Sequence, residues 1–101
     1  MLPPRVREFI RKVVEKTDTG ELTWTVAYEN DVISTKTADF ELIVRYDYDI
    51  TTGNASYLLF YRSSADPVGY RFFADHDAEH DCALLRQLFD TVQSCSAQFP
   101  F

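Results

Sequence analysis

The chain has 101 residues, enough for one core and too few for a second domain, and 46% hydrophobic with 15% aromatic content excludes a disordered polymer. No apolar run approaches the roughly 18 residues of a membrane span, and the opening MLPPRVREFI, with two prolines and dispersed charge, lacks a secretory pattern. A single cytoplasmic domain, residues 1–101, is therefore expected. A net charge of −6 repels phosphate backbones and argues against nucleic-acid binding, although residues 1–16 carry five basic side chains against two acidic ones.

In chain order, Leu2, Val6, Phe9, Ile10, Val13, Val14 and Thr17 recur at the spacing of an amphipathic helix. Pro3 and Pro4 suit its first turn, and TDTG after Lys16 is turn chemistry ending in glycine. ELTWTVAY alternates strictly, with Leu22, Trp24, Val26 and Tyr28 on one side, which predicts a half-buried strand. END turns the chain, and VISTKTA is a polar, β-branched bridge that receives no element.

DFELIVRYDYDI is the clearest strand, with Phe40, Leu42, Val44, Tyr46, Tyr48 and Ile50 opposite Glu41, Ile43, Arg45, Asp47 and Asp49. TTGN then closes a hairpin onto ASYLLFYR. An even loop groups Tyr57, Leu59 and Tyr61 with Tyr46 and Tyr48, whereas an odd one inverts every side chain, and the even loop is expected. SSADPVG is a loop and YRFFA a fourth strand. Ala78, Cys82, Leu84, Leu85, Leu88, Phe89, Val92 and Cys95 return to helical spacing, followed by an apolar tail, SAQFPF.

The fold class this predicts is α+β, a four-stranded antiparallel meander with N- and C-terminal helices packed on one face, in the order α-β-β-β-β-α. The opposite face then carries Ile43, Leu58, Phe60 and Phe73 among charged neighbours. Apolar side chains rimmed by charge mark an interface, so a homodimer or higher oligomer is expected. Isolated exposure, or strands that curl to bury these residues, is the ordinary alternative.

The densest chemistry lies in ADHDAEHDC, residues 74–82. Asp75 or Asp77 suits an N-cap, and Asp77, Glu79 and Asp81 complement the positive end of a helix. His76 and His80 also stand at i, i+4, a spacing that lets two imidazoles reach one metal ion with Asp77 beside them. That arrangement lacks HExxH, and a carboxylate such as Asp66 or Asp75 must supply a third ligand. A helix that begins only at Asp77 leaves His76 outside it.

No GxSxG, P-loop or GxGxxG occurs, so no catalytic constellation and no cofactor is indicated. Ser63 and Ser64 read as turn formers. The six tyrosines could line a small-molecule pocket between sheet and helices, though tyrosines on strands are more often core. Arg5, Arg7, Arg11 and Lys12 could meet nucleic acid, but Glu8 and Glu15 interrupt them, and pairing with the acidic second helix competes. Cys82 and Cys95, thirteen residues apart on one helix, are separated by about 20 Å. A disulfide needs about 7 Å, which suits a reducing compartment.

The segment KTDTGELTW, with Lys16, Thr17, Gly20, Leu22 and Trp24 at the K-T-x-x-G-x-L-x-W positions, resembles an entry motif of small bacterial proteins carried by phage and mobile gene cassettes. LLRQLFDTV resembles their closing helix. The resemblance implies the same helix–sheet–helix layout and brings no activity or catalytic residues with it. The expected function is that of a non-enzymatic, self-associating binding or accessory protein with an unidentified protein or small-molecule partner. The alternative is a small-molecule or metal-binding protein, even an enzyme, using His76 and His80.

Overall fold

A computed structural model describes residues 2–27, 31–97 and Pro100. Its elements are α1 (Pro4–Asp18), β1 (Thr25–Ala27), β2 (Val32–Lys36), β3 (Phe40–Asp49), β4 (Asn54–Ser63), β5 (Gly69–Ala74) and α2 (Glu79–Ser96). The class is α+β as expected, but the antiparallel sheet has five strands in the order β1-β2-β3-β4-β5.

The additional strand is β2, built from the segment left without an element. Its polar composition hid it. Ile33 and Thr35 both point inward and are buried, but only Ile33 is apolar, and the Thr35 hydroxyl donates to the Thr23 carbonyl at 2.7 Å. One hydrogen bond thus lets a polar side chain occupy a core position that pattern reading reserves for a hydrocarbon.

β1 is shorter than the alternation predicted, and Tyr28, Glu29 and Asn30 lie outside the described residues. Asp49 pairs with Asn54, leaving a four-residue loop, so Tyr46 sits opposite Tyr57 and the even register holds. Gly53, at φ +73, takes the left-handed position of that loop and donates its N–H to the Asp49 carbonyl at 2.7 Å.

α1 starts with Pro4 at its first position and ends in a two-bond cap around Gly20 at φ +85. The Gly20 N–H reaches the Thr17 carbonyl, and the Glu21 N–H reaches that of Lys16. Thr17, fully buried, donates its hydroxyl to the Val13 carbonyl at 2.7 Å and accepts from Trp24 Nε1 at 2.9 Å. The Lys16–Trp24 motif is therefore a structural joint between helix and sheet.

Both helices lie on one sheet face, side by side and in the same direction. Arg7 meets Asp81 near both starts, and the Cys95 thiol reaches the Thr17 carbonyl near both ends. Phe9 of α1 packs edge-on against Tyr61 and Phe40, with centroids 5.2 and 5.5 Å away, and Phe89 of α2 packs against Tyr57 at 5.8 Å. Between the layers lie Ile10, Val13, Ile33, Leu42, Val44, Leu59, Leu85, Leu88 and Val92, all essentially solvent-free. Each such side chain contributes about 1.5–3 kcal/mol of transfer free energy.

The start of α2 departs from expectation. Neither Asp75 nor Asp77 caps it; the capping position is Ala78, which makes no side-chain bond there. Asp75 Oδ1 instead accepts from the His76 backbone N–H at 2.7 Å, while the Asp75 carbonyl accepts from the Ala78 N–H at 2.9 Å. The acid is consumed in its own turn, one step before the helix, which is the usual competition for aspartate. Glu79 and Asp81 do occupy the first turn, where negative charge is favoured.

Candidate functional site

The metal-ligand expectation divides on inspection. His76 precedes α2 and His80 lies within it, so the two do not share the helical i, i+4 geometry. His76 stands instead between two carboxylates, Nδ1 at 2.9 Å from Asp75 and Nε2 at 3.1 Å from Asp77. Asp75, His76 and Asp77 offer ligand atoms within 4.8 Å of one another, all exposed, and His80 is not one of this group. The hydrogen bonds from His76, first its backbone N–H and then its ring, hold the Asp75 carboxyl below the usual carboxylate range. Hydrogen bonds within the turn account for this trio.

Among the described residues, three of the five basic residues of α1 are paired, and Arg5 and Lys12 are not. Arg7 Nε lies 2.6 Å from Asp81 Oδ1, Arg11 pairs with Glu8 and Lys16 with Glu21. Asp81 is 2% exposed, and its other oxygen accepts the Leu2 backbone N–H at 2.7 Å. The acid that looked like a dipole complement ties the N-terminal arm and α1 to α2.

The four apolar residues expected on the outer face do share it. Register puts Ser34, Ile43, Phe60 and Arg71 in one cross-strand row and Val32, Arg45, Leu58 and Phe73 in the next. A third row, Lys36, Glu41, Arg62 and Gly69, closes one end, with Arg62 bonded to Glu41 at 2.9 Å. Asp47 and Asp49 stand at the other end. Ile43, Leu58 and Phe60 are half-buried, Phe73 is 51% exposed, and none of the four belongs to the core between sheet and helices. Gly69 has a steric reason here, because a Cβ at that position would lie 2.5 Å from the Phe60 ring. The aromatic ring lies directly on the β5 backbone.

On the helix side, a cleft of about 560 Å³ opens between α2 and the β3–β4 hairpin. Its wall is a bent series of rings, Tyr46, Tyr57 and Phe89, with successive centroids 5.3 and 5.8 Å apart. Asp31, Glu79, Arg86 and Asp90 supply charge around it, and His76 and Cys82 also line it. Burial, then the charges of Asp81 and Asp75, push the Cys82 thiol up, and its S–H donates to the Asp75 carbonyl at 3.1 Å. Burial and the neighbouring Tyr46 likewise raise Tyr57, which stays a neutral donor.

Comparison with family models, with curated proteins and with solved structures finds no match. The resemblance to cassette proteins thus rests on the Lys16–Trp24 motif and the LLRQLFDTV segment alone. Among the described residues no helix is long and apolar enough to cross a membrane.

Of the residues read from sequence, the four apolar ones share the outer face, two of the six tyrosines, Tyr46 and Tyr57, line the cleft, and His76 and His80 do not share a helical face. Sequence reasoning missed Asp31, Arg86 and Asp90 as neighbours of the tyrosines. Nothing in the chain links residues so far apart. Half of the apolar tail, Gln98, Phe99 and Phe101, lies outside the described residues.

Proposed function

We propose that the chain is a self-associating binding or accessory protein that pairs with a second copy through the outer face of its sheet. The supporting observation is the layout of that face. Val32, Ile43, Leu58, Phe60 and Phe73, with Arg45 and Arg71 in the same two rows, lie between a net basic end, with Lys36, Arg62 and the Glu41 bonded to it, and an acidic end, with Asp47 and Asp49. Both helices lie on the other side.

The polarity selects the occupant. Two copies related by a two-fold axis in the interface plane, perpendicular to the strands, bring each basic end onto the partner's acidic end while the apolar centres meet. An axis along the strands sets like charge on like and is disfavoured. Five strands about 4.8 Å apart, two of them ten residues long, offer a face of some 600 Å² in projection. That approaches the roughly 800 Å² per partner of a stable interface.

Sedimentation equilibrium tests this directly. The wild-type chain is expected to dimerise, and Leu58→Lys, which sets a charge in the apolar centre of a solvent-facing position, to be monomeric with an unchanged fold. A wild-type chain that stays monomeric up to about 1 mM, equivalent to an association weaker than about 4 kcal/mol, overturns the reading. So does a Leu58→Lys dimer as tight as the wild type.

A further inference from the structure

We infer that the cleft between α2 and the β3–β4 hairpin is a binding site for a small zwitterion of the amino-acid type, its carboxylate held by Arg86 and the Tyr57 hydroxyl and its ammonium by the surrounding acids. This goes beyond self-association and stands whether or not the outer face pairs.

The starting observation is Tyr57. The residue is 6% exposed, yet among the described residues its hydroxyl has no hydrogen-bond partner. No buried side-chain polar atom is sealed without a bond, so this oxygen keeps an opening to solvent. The cleft is the space the residue lines. A phenol held this deep with its hydroxyl unused by the protein is arranged to donate to something that enters.

The charges around it define what enters. Arg86 and Asp90, one helical turn apart on α2, both act electrostatically on Tyr57, and Asp31 and Glu79 complete the ring of charge. Among the described residues Arg86 makes no ion pair within 4.0 Å, so its guanidinium fork is available for a planar carboxylate. Three carboxylates against one guanidinium leave excess negative charge for an ammonium, and the faces of Tyr46 and Phe89 add cation–π attraction. An anion alone meets this negative excess, and an amine alone leaves Arg86 and Tyr57 unpaired. A molecule bearing both charges satisfies each group. The volume of about 560 Å³ falls within the roughly 300–1,000 Å³ of ligand sites and leaves room for a side chain beyond the two charged groups.

The test is amide NMR of the ¹⁵N-labelled chain titrated separately with each of the twenty common amino acids, with putrescine as the amine probe and with propionate as the acid probe. At least one amino acid is expected to shift the resonances of residues 54–57 and 79–90, more tightly than either single-charge probe. Tyr57→Phe should weaken that binding about tenfold while the ring packing and fold persist, the loss of one hydrogen bond to a charged group. Arg86→Gln should remove the preference over putrescine. Saturation by none of the twenty at about 10 mM overturns the inference, since that bounds the affinity below about 3 kcal/mol. Putrescine binding as tightly as any amino acid, or unchanged binding in Tyr57→Phe, overturns it equally.

Discussion

Thr17 shows how much one buried hydroxyl can organise. It accepts the indole N–H of Trp24 and closes the last turn of α1, so Thr17→Val keeps the volume and orphans the indole. An unsatisfied buried donor costs about 1–3 kcal/mol, and that loss is expected in urea unfolding, with a shift in the fluorescence of the single tryptophan. Unchanged stability would mean the indole finds water instead. Tyr57 makes a pH prediction of definite sign. Its folded pKa is raised, so between the ordinary phenol value near 10 and the folded value the native state keeps a proton the unfolded chain has lost. The stability contribution is full below the ordinary value and is lost as the pH rises through the folded one. Wild-type stability should therefore fall more steeply on the alkaline side than that of Tyr57→Phe; parallel curves would contradict the raised pKa.

Among the elements, one acid ties the start of α1 to the start of α2. Asp81 takes both Arg7 and the Leu2 N–H, and Leu2 itself is 1% exposed. Asp81→Ala is expected to cost about 2–3 kcal/mol, less than an enclosed pair because Arg7 keeps contact with water. Limited proteolysis should then cut ahead of α1 first. Equal protection in mutant and wild type would show that Leu2 packing alone holds the arm. This scale also shows what could be read from the chain. Period-two alternation in β3 and β4 is long enough to set both faces and the register, since a slip of one inverts ten residues at once. The same pattern fails for β2, where Thr35 takes an inward position on the strength of a hydrogen bond to Thr23. Asp75, Asp77 and Asp81 look alike in sequence, yet one is used in its turn, one faces His76 and one is buried. Partners 74 and 79 residues away decide the third, and no local spacing encodes them.

For the whole molecule, thickness distinguishes the ways two copies can meet. The principal extents are 41 × 36 × 23 Å, the shortest being that of two stacked layers, and the radius of gyration is 13.7 Å. Face-to-face pairing stacks two copies along the thin direction. Adding half a separation of about 23 Å in quadrature raises the radius of gyration to about 18 Å, with little change in the longest dimension. Pairing through an edge strand such as β5, another route open to an antiparallel sheet, separates the centres along a long axis and gives about 23 Å. Solution scattering across a concentration series should show the smaller value. Salt adds an independent check, because Lys36, Arg62, Asp47 and Asp49, the charges that such a dimer would bring together, are exposed and their attraction would be screened within about 10 Å at 0.1 M. The face-to-face dimer should weaken from 0.05 to 0.5 M salt yet persist through its apolar centre. A radius near 23 Å, or association that strengthens steadily with salt, would move the contact away from the charged ends of the sheet face and onto an edge or a purely apolar patch.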